Sequence, residues 1–254
     1  MDYSPILQSA FQGLAWFLPL IFLIGFLKLP VVKGYFGELL VRLIARLRLD
    51  QSIYHRVDNV TLATLDGTTQ IDHLIVSRFG VFVLETKNMK GWIFGAEHQA
   101  QWTQKIFKQS FKFQNPLRQN YKHVKALEAT LDLPSANVHS VVVFVGDCDF
   151  KTAMPPNVTQ GAGYVSYIKS FTTPVFAEQQ VRDLLARLER ERFAPTLATH
   201  RAHVQSLKSR ALPEAGKVCV KCGSSMVLKT RNAADAQPFW GCSTFPRCRF
   251  TQGV

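Results

Sequence analysis

Two groups of residues in this chain combine types and spacings that support chemistry. Near the C-terminus, Cys219, Cys222, Cys242 and Cys248 follow the pattern Cys-x2-Cys, nineteen residues, Cys-x5-Cys. Each pair can clamp one side of a tetrahedral Zn²⁺ ion, and the interval suits a hairpin. Four thiolates fill the coordination sphere and leave no position for water, so the zinc expected here is structural. The second group is Asp72, in TQIDHLIVS, with Glu85 and Lys87, in VFVLETKN. Residues two apart in a strand share a face, so Glu85 and Lys87 point the same way. If the two strands are neighbours, Asp72 and Glu85 converge on one hard cation, Mg²⁺ or Mn²⁺, with the Thr86 carbonyl as a third oxygen. Such an ion lowers the pKa of a bound water and neutralises charge building on a phosphate. Lys87 is then placed to orient that water or stabilise the transition state. The spacing Asp-x12-Glu-x-Lys is weak by itself, since a strand end with solvated charges gives the same pattern. Context strengthens it: the charges end an otherwise apolar strand, where burying a carboxylate and an ammonium requires a compensating partner.

Periodicity indicates the elements that must position these residues. Lys33 to Leu49 reads as a helix with an apolar stripe of Leu39, Leu40, Leu43, Ile44 and Leu47. Ile53 to Leu65 is a strand ending at the Asp66-Gly67 turn, and Thr69 to Ser77 is a second. After a short turn at Arg78-Phe79-Gly80, Val81 to Asn88 is apolar on both faces until Glu85 and belongs in a sheet covered on both sides. Lys90-Gly91 turns the chain into WIFGA. A helix starts near Asn115-Pro116 and runs to Leu131, with Pro116 suited to its first turn. Val138 to Val145 is a further buried strand, and Gln179 to Arg192 a further helix.

The chain has 254 residues and a net charge of +12, from 30 Lys and Arg against 18 Asp and Glu. That excess favours polyanionic partners, nucleic acid or an anionic membrane face. Between Trp102 and Lys125 lie Lys105, Lys108, Lys112, Arg118, Lys122 and Lys125 without an acidic residue, interspersed with Phe107, Phe111, Phe113 and Tyr121. The cysteines are similarly surrounded by Lys217, Lys221, Lys229, Arg231, Arg247 and Arg249 against Asp235 alone, with Phe239, Trp240, Phe245 and Phe250 interleaved. Bases stack on such rings while cations hold phosphates; some of these aromatics must also form the small core around the metal. Four of five cysteines in one cluster, with Cys148 alone, exclude a disulfide scaffold and fit a reducing compartment. Phe11 to Leu27 carries no charge. It is short for a membrane span, which needs roughly 20 apolar residues, but is apolar on every side, unlike a striped core helix. Lys28, Lys33, Arg42, Arg46 and Arg48 follow it, which places the rest of the chain in the cytoplasm.

Two family resemblances add to this reading. CVKCGSSMVLKT and FWGCSTFPRC resemble the C-terminal zinc ribbons of bacterial type IA DNA topoisomerases, which implies DNA binding, chiefly of single strands. GELLV, then DGTTQIDHLIVSRFGVFVLETKNMKGWIFG, then Trp102, then NPLRQN resemble, in order, the nuclease-related domain, often abbreviated NERD, from about Gly37 to Leu131. That family resembles the PD-(D/E)xK nucleases. The resemblance implies an α/β fold with a central mixed sheet and flanking helices, and a metal-dependent phosphodiesterase site. It assigns Asp72, Glu85 and Lys87 to the core motif, Glu38 to the acidic position of the first helix, and Gln119 to a helix beside the site. Related nucleases often carry a tyrosine four residues after that glutamine; His123 stands there in this chain.

The resulting expectation is a membrane anchor at 1–32, a nuclease-related domain at 33–194, a linker at 195–216 and a zinc ribbon at 217–254. Its function is Mg²⁺- or Mn²⁺-dependent hydrolysis of DNA at the cytoplasmic face of the inner membrane. The alternative is a non-catalytic, membrane-tethered module that binds nucleic acid on a degenerate nuclease fold.

Overall fold

The computed structural model describes residues 29–64, 67–196, 198–199, 201–205, 218–224, 226–229 and 239–253, together with Phe17, Pro19, 21–23, 25 and 26. The chain divides into two compact units, the first ending at Ala194 and the second running from Pro195, with residues 66–68 grouped with the second.

The first unit is organised by the strand that sequence marks most clearly. Strands β1 (Tyr54–Thr64), β2 (Gly67–Ser77) and β3 (Gly80–Asn88) are followed, after a smaller sheet and a helix, by β7 (Val138–Val145) and β9 (Val158–Gln160). They pair in the order β1-β2-β3-β7-β9. β2 and β3 are antiparallel, whereas β3, β7 and β9 run parallel, so the sheet is mixed. Because β3 is central, its run Val81-Phe82-Val83-Leu84 is fully buried. Each such side chain contributes roughly 1.5–3 kcal/mol relative to exposure.

Alternation sends these side chains to two cores. Val81 and Val83 pack with Val124, Leu127 and Leu131 of α2 (Pro116–Leu131) and with Val181 and Leu188 of α4 (Glu178–Glu191). Phe82 and Leu84 pack with Val41, Ala45 and Leu49, on and just after α1 (Pro30–Arg48), and with Tyr164 and Ile168 of α3 (Gly163–Lys169). This is the α/β architecture with a central mixed sheet and flanking helices that the resemblance implied. The smaller sheet, β6-β5-β4-β8, consists of β4 (Gly91–Phe94), β5 (Gln101–Ile106), β6 (Gln109–Gln114) and β8 (Cys148–Phe150).

On helix α1 the apolar stripe lies largely outward: Leu39, Leu40, Leu43 and Leu47 are exposed, Leu47 by 74%, while Ile44 is half-buried against the core. The packed face is Gly37, Val41, Ala45 and Leu49, spaced four apart. Small residues carry this contact. A Cβ on Gly37 would lie 2.9 Å from that of Asn88 and 3.0 Å from Val145 Cγ2, so glycine is what lets α1 cross the ends of β3 and β7 so closely. Of the aromatics in the basic stretch, Trp102 is fully buried, with Phe113 packed against the same core. Among the described residues no helix is long and apolar enough to cross a membrane. The segment expected to do so, Phe11 to Leu27, falls mostly outside them.

The second unit contains a three-stranded antiparallel sheet of β10 (Met226–Lys229), β11 (Phe239–Cys242) and β12 (Thr251–Gly253).

Candidate active site

Asp72 and Glu85 lie where β2 and β3 part. The antiparallel register ends at His73 opposite Leu84, and one further step would oppose Asp72 and Glu85. A side-chain contact takes over there: the Thr86 backbone N–H donates to Asp72 Oδ2 at 2.9 Å. The strand is irregular at this point. Ile71 and Leu74, an odd number of residues apart, belong to the same core cluster, so strict alternation slips between them.

Around Glu85 the groups are tightly connected. Lys87 donates from Nζ to Glu85 Oε1 at 2.7 Å and to Gln119 Oε1 at 2.9 Å. One turn further along α2, His123 places Nε2 3.2 Å from Glu85 Oε2 and shares a 2.6 Å hydrogen bond between Nδ1 and Thr69 Oγ1. The Nε2 contact is close enough for electrostatic attraction but is bent away from hydrogen-bond geometry, so Glu85 Oε2 is buried without a hydrogen-bond partner. The Asn115 side chain fixes α2 by accepting from the Leu117 N–H, with Pro116 at the first turn. Glu38, on α1, pairs with Arg42 at 3.1 Å. His73 turns to another partner, Asp58, at 2.7 Å.

The electrostatics separate the two carboxylates. Burial, and next the negative charge of Glu85, push Asp72 up to about 8, only partly opposed by the Thr86 N–H. For Glu85, burial also disfavours charge, but the His123 ring and the Lys87 ammonium outweigh it and hold its carboxyl below the usual range. An acid raised by a neighbouring acid, beside a buried carboxylate oxygen lacking a hydrogen bond, is what a cation between the two would relieve. The donor set, two carboxylates and nearby backbone oxygen, suits a hard divalent ion. Asp72, Glu85, Lys87 and Gln119 are thus brought into one constellation, while Glu38 reaches it by charge alone through its effect on Asp72. Two members were not anticipated, His123 and Thr69. The available signal was the spacing of Gln119 and His123, four apart on a helix and hence on one face.

Residues 33–145 match the family model of the nuclease-related domain. An uncharacterized protein of Bacillus anthracis is 39% identical over 163 residues, covering 61% of this chain and 74% of that protein. The chain belongs to the nuclease-related domain family. No solved structure matches it. Every member of the constellation, from Glu38 to His123, falls within the part of this nuclease-related domain protein that the family model matches.

The cysteines lie outside that part and form their own cluster. Their four Sγ atoms lie within 4.8 Å of one another. Cys219 and Cys248 are 3.7 Å apart, and Cys222 and Cys242 3.4 Å. A tetrahedral zinc with Zn–S of about 2.3 Å implies sulfurs ~3.8 Å apart, so the cluster is compatible with a zinc site. Gly223, at φ +73°, closes the first Cys-x2-Cys turn by donating its N–H to the Cys219 carbonyl at 2.8 Å. Met226 and Trp240 are buried against the sulfurs, so Trp240 serves the small core. Phe245 is exposed.

Proposed function

We propose that the first unit is a phosphodiesterase of the PD-(D/E)xK type, dependent on Mg²⁺ or Mn²⁺ and acting on DNA. The observation that carries this reading is the constellation at the strand fork, with Asp72 held by the Thr86 N–H, Glu85 and Gln119 bridged by Lys87, and Asp72 pushed up to about 8 by burial and by the Glu85 charge. Asp72 and Glu85 hold the ion, with the Thr86 carbonyl as a further donor. Bound there, a divalent ion supplies Lewis acidity and a lowered water pKa. The chain's own groups do the rest. The Thr86 N–H fixes the Asp72 carboxylate. Lys87, held between Glu85 and Gln119, orients the attacking water and meets charge developing on the phosphate. His123 braces the far side of Glu85. Glu38 assists through the field it exerts on Asp72. The test is incubation of the purified protein with labelled single- and double-stranded DNA in Mg²⁺, Mn²⁺ or chelator. Cleavage that requires metal is expected; binding without cleavage under any of these conditions refutes the enzyme.

One observation favours the tethering alternative. Lys87 already neutralises Glu85, so a metal must compete with an internal ammonium for that carboxylate. Under this reading the domain only binds, and the cleavage assay separates the two.

The four cysteines hold structural zinc, and the ribbon adds affinity for DNA, single strands included. Phe11 to Leu27 anchors the chain at the inner membrane in a single pass, with the bulk in the cytoplasm. The exposed leucine face of α1 follows that segment directly in sequence and supports a lipid-facing N-terminal region. Carbonate extraction tests it: the full chain should stay with membranes, and release into the soluble fraction refutes the anchor.

A further inference from the structure

The smaller sheet has one face in the core and one in solvent. Ile93 and Trp102 are fully buried and pack with Phe144 and Val142. Cross-strand partners share a face, so the register gives the composition of the other side. One rank runs Asp149, Trp92, Lys105, Ser110, and the next contains Phe94, Thr103 and Lys112. At its centre Trp92 is 47% exposed, with the Lys151 ammonium 5.1 Å and the Lys105 ammonium 5.7 Å from its ring centroid. The β5–β6 hairpin turns on Phe107 and Lys108. Phe107 is 95% exposed and held at φ +51°, a conformation that bulky residues adopt only under constraint. Lys90, Trp92, Lys105 and Phe107 border a cleft of about 500 Å³ on this side.

We propose that this face is a stacking platform for single-stranded nucleic acid, in which Trp92 takes the face of one base and Lys105, Lys108 and Lys112 hold the flanking phosphates. The inference rests on the reading of the protein as one that acts on nucleic acid, and it names which strands it accepts. A large flat ring ringed by ammonium groups matches a ligand with aromatic faces and an anionic backbone. In a duplex the base faces are already stacked, so the platform selects unpaired bases. Asp147 and Asp149 stand on the β8 side of the cleft. They repel phosphate and bias the backbone toward Lys105, Lys108 and Lys112 on the β5–β6 side. The platform is also close to the candidate active site along the chain. Trp92 stands five positions after Lys87, an extended reach of at most ~17 Å, so a strand lying on Trp92 comes within a few nucleotides of the carboxylates.

The test uses the full-length protein, chelator to prevent cleavage, and fluorescently labelled oligothymidylate against a duplex of mixed sequence. Trp92→Ala should weaken single-strand binding about tenfold or more and leave duplex binding unchanged. Trp92→Phe, which keeps a stacking ring, should recover most of the loss. Because the ribbon also contributes affinity, 4-thiothymidine in the same oligonucleotide locates the contact, with photo-adducts expected on residues 90–94. Equal binding by Trp92→Ala and wild type with adducts confined to residues 239–250 overturns the platform, while metal-dependent cleavage by the same protein leaves the nuclease reading standing. A wild type that binds neither probe overturns both.

Discussion

The protein brings together two sets of metal-competent side chains that differ in almost every physical respect. The ribbon offers four identical soft donors with separations close to those zinc imposes. At Cys222 the Ser224 N–H, with further hydrogen bonds, holds the thiol below its ordinary value. The strand fork offers two hard donors in opposed states, Asp72 raised and Glu85 lowered, one of them bridged to a lysine. The first is a closed site, and metal bound in it is part of the fold. The second would hold a metal only in competition with the Lys87 ammonium, and its two carboxylates would leave positions for water and phosphate, as a hydrolytic ion requires. The cysteine sulfurs already stand at the separations a tetrahedral ion needs, whereas Asp72 and Glu85 remain electrostatically mismatched.

The sharpest break of this contrast is at the carboxylates. Asp72→Asn and Glu85→Gln keep size and remove the charge that the ion needs. Each should lower the cleavage rate by ~10³-fold or more, since a catalytic ion supplies several kcal/mol, while far-ultraviolet circular dichroism stays that of wild type. An Asp72→Asn protein that cuts normally puts the chemistry elsewhere. The next prediction separates the sites by exchange. Brief EDTA treatment should abolish cleavage at once, and added Mg²⁺ should restore it, with one zinc per chain retained throughout by elemental analysis. Cys222→Ser should lose that zinc yet keep cleavage in the first unit. Zinc lost as fast as activity would erase the distinction. A smaller effect is expected at His123. His123→Ala should lower kcat about tenfold by loosening Glu85, with His123→Gln recovering part of it, and leave the KM for DNA near wild type. A changed KM with unchanged kcat would make His123 a binding residue instead.

What could be read ahead of the structure follows from how local each signal is. The run VFVLETKN marks a central strand because both of its faces are apolar, a property of the residues themselves. Asn115-Pro116 marks the start of α2 for the same reason, a cap and a first-turn proline being local chemistry. Helix α1 was legible as a helix but not in its facing. Periodicity finds an apolar stripe without showing what the fold lays against it. The packed face here depends on Gly37 and Ala45, whose small size allows close approach and which hydropathy weighs lightly. Trp102 was open in sequence between surface and core, and the register decides it by placing Lys105 on the opposite face of the sheet. His123 was noticed only as a departure from a tyrosine. Its place beside Glu85 depends on how α2 crosses β3, a tertiary fact.

The last prediction concerns pH, to which the carboxylate site should respond and the zinc-bound ribbon should not. Asp72 is raised in the folded chain from an ordinary 3.8 to about 8. Between those values the unfolded chain has released this proton and the folded, metal-free chain retains it. The folded state therefore binds more protons, and its stability falls as pH rises through that window. Divalent metal reverses the penalty, because the ionised Asp72 is then matched by a cation. Thermal melts of the metal-free protein from pH 5 to pH 8 should show Tm declining with pH, and Mg²⁺ should raise Tm most at the upper end. Asp72→Asn has no proton to keep, so it should flatten the decline, melt above wild type at pH 8 without metal, and lose the stabilisation by Mg²⁺. The ribbon should not contribute to this slope while its zinc remains bound, since ligated thiolates do not titrate in that range. A decline that persists in Asp72→Asn would assign it to another group and remove the electrostatic argument for a cation at the strand fork.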